Sequence, residues 1–270
     1  MIKTAFAALA VLAMTKGAAA EPVRLHAAGS LRDALTEVAR EFEAAPGGAA
    51  VEAKFGPSGL LRDAIAGGER AEVFASANME HPASLTRAGK AGPTVLFARN
   101  RLCALVRPGL QVSTESLVER LLDPAVKVGT STPKADPSGD YAFEVFGRME
   151  ALRPGSRSVM EAKALQLTGG PNSPKPSPGR SLYGEIVARG DADLFLTYCT
   201  NAQAAAREVP GAAVVALPEP LAVGADYGLA VMTGASEPAY RFALFVLSEE
   251  GQAILARHGF TAPLRAAGRG

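Results

Sequence analysis

Two short apolar runs in this chain each stop at a glycine turn and lead into a serine at the head of a helical pattern. Residues 23–27 read as a strand, Ala28-Gly29-Ser30 breaks it, and Leu31, Leu35, Val38, Ala39 and Phe42 then recur with the spacing of one buried helix face. Ser30 stands where a helix N-cap belongs. The arrangement repeats: a strand over 51–55, a turn at Gly56-Pro57, and a helix opened by Ser58 that carries Leu60, Leu61, Ala64 and Ile65. A third strand over 72–76 leads into another helix. Strand, turn and helix in alternation predict an α/β fold with a mostly parallel sheet, because parallel neighbours need a crossover between them.

A second segment begins with apolar runs at 97–100 and 102–106. It continues with a strand over 126–130, a loop over 131–139, a helix from Asp140 and a strand over 193–198. PNSPKPSPGR (171–180) is rich in Pro and Ser and reads as a loop. A strand over 227–232 follows, then a pair of helical patterns over 238–258 ending at Gly259. The organisation predicted is one lobe over 21–99, a second over 100–222, and a segment over 223–270 returning to the first. Two lobes joined by two crossovers suit the trapping of a ligand in a cleft.

Composition narrows the ligand. In 270 residues, 28 Lys+Arg face 27 Asp+Glu, a formal net charge of +1, which argues against a surface built to neutralise nucleic acid. With 48% hydrophobic and 20% charged residues the chain is globular. At 6% aromatic and without Trp, it has few platforms for bases or sugars. Residues 1–20 have the order of a secretory signal: Lys3, an apolar run from Ala5 to Met14, and Ala18-Ala19-Ala20 before Glu21. Cleavage after Ala20 is expected, which leaves 28 − 2 = 26 basic residues against 27 acidic ones. No later stretch of about 20 residues is apolar enough to span a bilayer. In an exported protein Cys103 and Cys199 have two readings, a disulfide or two buried thiols. His26, His81 and His258 lack any ligand spacing, so a metal site is not expected.

The serine turns suggest anion chemistry. Helix N-termini offer unpaired N–H groups and a partial positive charge, a Ser hydroxyl adds a donor, and glycine lets the backbone come close. Ser30 in AAGSL, Ser58 in GPSGL and Ser138 in PSG are the candidates. The plainer alternative is that each serine merely caps its helix. A secreted serine hydrolase using Ser30 or Ser58 is a further alternative, but GPSGL departs from G-x-S-x-G at Leu60, and one of the scattered histidines would have to act as base.

The segments AAGSLRDALTEVAREFE (27–43), KFGPSGLLRDAIAGGERAEVFASAN (54–78), FARNRLCALVR (97–107), IVARGDADLFLTYCTNA (186–202) and AYRFALFVLSEEGQAILARHGF (239–260) together resemble the bacterial periplasmic molybdate-binding proteins of ABC transporters. The resemblance implies a two-lobed type II periplasmic-binding-protein fold, with a mixed sheet flanked by helices in each lobe and a two-strand hinge. It implies that Ser30 and Ser58 each give hydroxyl and backbone N–H to an oxyanion, Ser138 a backbone N–H and Tyr198 its hydroxyl. A fourth contact falls at Arg180, with Ser181 and Leu182 as alternatives. Arg180 departs from the small apolar residue usual there and could only offset the charge of a dianion. Asp140, beside the site, has to point away or pair with a cation. The function implied is capture of molybdate or tungstate by a periplasmic monomer that is not an enzyme. It needs no cofactor, binds no nucleic acid, and delivers its ligand to an inner-membrane permease with its ATPase. A different oxyanion held with the help of Arg180 is the alternative on the same fold.

Overall fold

The computed structural model describes residues 21–263, so the expected signal segment over 1–20 lies outside the described residues. Nine strands form one sheet in the order β2-β1-β3-β9-β4-β7-β5-β6, with β8 paired to β4 off this path. On one side, β1 (Val23–Ala28) pairs in parallel with β2 (Val51–Gly56) and β3 (Val73–Ser76). On the other, β5 (Val128–Ser131) pairs in parallel with β6 (Leu165–Thr168) and β7 (Leu194–Tyr198). The halves are joined by β4 (Val95–Val106) and β9 (Gly224–Val231), which run antiparallel to each other and to their neighbours. The sheet is therefore mixed, and parallel only within each half.

The two apolar runs at 97–100 and 102–106 are one strand. Val95–Arg101 pairs with β9, and Leu102–Val106 pairs with β7 and with β8 (Ala213–Ala216). The expected lobe boundary at 99/100 thus falls inside a continuous strand, where no turn residue marks it. The C-terminal ends of β3 and β7 both point toward this crossing, since Ser76 pairs with Gly228 and Tyr198 with Leu102. Ligands of open parallel sheets collect at such strand ends.

Helix α1 (Arg32–Ala44) buries Leu35, Val38, Ala39 and Phe42, the stripe read from the sequence. Phe42 packs edge-on against Phe242 of α9 (Glu237–Leu247) at 5.3 Å, and Glu37 binds Arg257 and His258 at the end of α10 (Glu249–Arg257). The C-terminal segment thus packs on the first half. Elsewhere α2 (Ser58–Ala66), α3 (Glu80–Arg87), α4 (Leu117–Leu122), α5 (Pro137–Leu152), α6 (Ser156–Lys163), α7 (Leu182–Arg189) and α8 (Cys199–Glu208) cover the sheet. Cys103 and Cys199 form a disulfide, with Cα atoms 4.8 Å apart. It ties β4 to the first residue of α8.

Candidate functional site

Neither of the first two serines caps its own helix. Ser30 lies inside a one-turn 3-10 helix (Gly29–Leu31), and Ser58 is the first residue of α2 after an N-cap of Pro57. Their hydroxyls turn elsewhere. Ser30 Oγ shares a hydrogen bond of 2.9 Å with Tyr227 Oη on β9, and Ser58 Oγ accepts the Ala77 N–H at 3.1 Å beyond β3. The Asn100 side-chain amide donates to Tyr227 Oη at 3.4 Å and to Thr200 Oγ1 at 2.9 Å. Either hydroxyl can be the donor of the Ser30–Tyr227 bond. Ser58 uses only its oxygen. A hydroxyl has one proton and two lone pairs, so Ser58 keeps a proton to donate. Helix geometry also leaves the Ser58 N–H without an intrahelical acceptor.

Contacts then run from one half of the sheet to the other. The Tyr227 ring lies 5.6 Å from that of Tyr198, and Tyr198 lies 6.2 Å from Tyr141 on α5. The Gly59 N–H donates across the halves to Ala135 O at 2.9 Å. A Cβ on Gly59 would sit 2.2 Å from Lys134 O and 2.7 Å from Ala135 O, so only glycine permits this approach. Lys134 itself has a φ of 68°. Its N–H donates to Asp140 Oδ1 at 2.8 Å, so Asp140 is spent on holding the loop. Burial raises the Asp140 carboxyl above its usual range, and the Lys134 N–H and ammonium oppose the shift.

Two hydroxyls in this ring have no partner. Ser138 Oγ and Tyr198 Oη are buried and unpaired, on residues 0% and 2% exposed. Burial raises the Tyr198 phenol well above its usual value, which keeps it a neutral donor. Ser138 follows Pro137 at the start of α5, and its N–H donates at 3.1 Å to Asp136 Oδ1, the helix N-cap. Burial pushes the Asp136 carboxyl up to about 6, opposed by the bonds from Ser138 and the Ser131 hydroxyl. The Tyr183 phenol on α7 is raised to about 12, chiefly by burial, with the Thr197, Ser131 and Thr168 hydroxyls opposing the shift.

Ser30, Ser58, Ser138 and Tyr198 are thus linked through one continuous set of contacts, and Arg180 does not join them. It is 54% exposed at the side chain and lies 3.5 Å from Glu208. Ser181 caps α7, its N–H donating to Glu208 at 2.9 Å, and Leu182 packs in the second-half core. Glu208 ends the ten-residue α8, about 15 Å of helix from Tyr198. The cause is packing: Gly184 seats the start of α7 against Val209 and Ala205, at the far end of α8. Tyr183 of α7 packs edge-on against Phe195 at 5.1 Å. The sequence reading missed Asp136, Tyr227, Asn100 and Tyr183; only Asp136 has a local signal, an Asp before Pro at a helix start. Two of the three histidines are engaged elsewhere, His26 with Glu69 and His258 with Glu37, and no hydrogen bond joins His81 to Ser30, Ser58 or Ser138.

Two half-sheets with facing strand ends, joined by two antiparallel strands, make this a type II periplasmic binding fold. The chain belongs to the bacterial extracellular solute-binding protein family, which it matches over residues 23–261. It is 36% identical over 216 residues to an uncharacterized protein of Pasteurella multocida, covering 78% of this chain and 87% of that one. It is 29% identical over 247 residues to the molybdate-binding protein ModA of Mycobacterium bovis, covering 90% of this chain and 86% of that one. Among solved structures it resembles the periplasmic molybdate-binding protein of Azotobacter vinelandii, with a TM-score of 0.71 at 20% identity over 89% of this chain and 99% of that one. The sulfate-binding protein SubI of Mycobacterium tuberculosis H37Rv gives the same TM-score, 0.71, at 19% identity over 90% of this chain and 88% of that one. These structural likenesses show the fold and do not choose an anion. The chain is by family an extracellular solute-binding protein.

Proposed function

We propose that this protein captures a tetrahedral oxyanion, molybdate or tungstate, between its two half-sheets, and does so in the periplasm as a monomer. It then delivers the anion to an inner-membrane permease driven by an ATPase. Ser30, Ser58, Ser138 and Tyr198 hold the anion through its oxygens. The observation that carries this reading is the pair of buried, unpartnered hydroxyls on Ser138 and Tyr198, beside Ser58, which keeps a proton to give. Neutral donors at helix starts stabilise an anion without a buried cation. Binding across both halves favours the closed arrangement that the Gly59–Ala135 bond marks. Sulfate, phosphate and chromate share the charge and the shape, so size and hydrogen bonding decide among them.

Calorimetric titration of the mature protein with molybdate, tungstate, sulfate, phosphate and chromate tests this. Saturable one-to-one heat with molybdate or tungstate is expected, with the other anions weaker. No heat and no thermal shift with either would sink the reading. A preference for another oxyanion would keep the site and change the ligand, without Arg180.

A further inference from the structure

We propose that Asp136 sets the affinity of the cleft, because its carboxylate holds the Ser138 N–H that an oxyanion would otherwise take. The anion must displace that carboxylate or share a proton with it. This rests on the reading of the cleft as an oxyanion site.

The geometry at the start of α5 is specific. Pro137 has no N–H, so Ser138 and Gly139 carry the first donors of this 16-residue helix. Asp136 takes both: Ser138 N–H at 3.1 Å through Oδ1, and Gly139 N–H at 2.8 Å through its carbonyl. An independent observation points to a ligand at the same place. The Ser138 hydroxyl is fully buried without a partner, as is the Tyr198 hydroxyl at the end of β7. Each unmade hydrogen bond is costly, and a ligand that accepted from both hydroxyls would recover that cost.

The groups around Asp136 leave its charge without a cationic partner. Asp140, on α5, adds like charge. The Ser131 hydroxyl of β5, bonded to Thr168 Oγ1 at 2.7 Å, lowers the Asp136 carboxyl, and Gly169 after β6 closes over it, since a Cβ there would lie 2.7 Å from Oδ2. The phenols of Tyr183 on α7, Tyr198 on β7 and Tyr227 on β9 feel its charge. Lys134 in the preceding loop acts on Asp140. Burial already raises Asp136 to about 6, and an adjacent anion raises it further. The proton then belongs to the pair of carboxylate and anion. Affinity is level below about pH 6, where Asp136 is already protonated. It falls as pH rises through the window up to the value in the complex.

Asp136→Asn keeps an N-cap and removes the charge. Wild type and Asp136→Asn are titrated with molybdate and with tungstate near pH 5.5, 7 and 8, in buffers of different ionisation enthalpy, with a thermal melt of each protein. Wild type is expected to take up a proton near pH 7 and to weaken roughly tenfold or more between the extremes, a decade for each pH unit by which the bound anion raises the Asp136 carboxyl. Asp136→Asn is expected to take up none and to bind roughly tenfold tighter than wild type near pH 8. Proton uptake by wild type stands as a test even if the variant folds poorly. Anion binding by Asp136→Asn alone would also support the proposal. Tight binding by wild type without proton uptake, with Asp136→Asn no tighter, overturns it and leaves the oxyanion reading intact. No binding by either protein removes both.

Discussion

Tyr198 shows how one residue divides stability from function. Its hydroxyl is buried and unpaired, so the folded chain bears the cost of an unmade hydrogen bond, about 1–3 kcal/mol. Tyr198→Phe is therefore expected to melt at the same temperature as wild type or higher. It should bind the anion about ten- to a hundredfold more weakly, since a hydrogen bond to a charged group contributes about 1.5–3 kcal/mol. Loss of melting temperature without loss of affinity would remove Tyr198 from the site. Ser58→Ala should do both kinds of harm, because the Ala77 N–H loses its acceptor as the anion loses a donor. Ser30, Ser58 and Ser138 stand out in the sequence because each sits at a helix start beside Gly or Pro, where turn chemistry is local, whereas Tyr198 came only from the family resemblance. Tyr227 does not stand out, since it meets Ser30 across 197 positions of sequence.

Among elements, α3 and α8 carry the clearest consequences. His81 on α3 is 6% exposed with Nδ1 unpaired, and burial lowers it to about 4. The unfolded chain binds a proton there at higher pH than the folded one, near 6.5. Stability is thus fully present above about pH 6.5 and is lost as pH falls to about 4, by up to a few kcal/mol. Asp136 has the opposite sign: its raised value makes the fold gain stability as pH falls through about 6. Thermal melts of His81→Gln should therefore be less acid-sensitive than those of wild type; an unchanged pH profile would rule His81 out as the sensor. On α8, the disulfide closes 96 positions of chain and sits next to Tyr198. Replacing both cysteines with serine is expected to cost roughly 4 kcal/mol by loop closure, read from denaturant unfolding.

For the whole molecule, the close approach of the two halves depends on glycine at 59. Gly59→Ala puts a methyl 2.2 Å from Lys134 O, which is backbone and cannot swing aside. The methyl touches the contact between the halves and not the buried core, so the variant should fold with nearly wild-type melting. It should remain more open with molybdate in small-angle scattering, and bind it about tenfold or more weakly. A compact, tight-binding variant would show that closure does not pass through this contact. β4 and β9 also run between the two parallel half-sheets and join them.

The amino-acid sequence by itself determined the alternation of strand and helix, the buried stripe of α1, the loop over 171–180 and the serines at the strand ends. These depend on periodicity and turn chemistry within a dozen residues. Tertiary structure alone decided which hydroxyls are already spent, that β4 is one strand through both halves, and that Cys103 and Cys199 pair. It also turned Arg180 to Glu208 and let Asp136 take the Ser138 N–H. Most of these outcomes join residues tens to hundreds of positions apart. Packing chooses among such partners, and no local pattern carries that choice.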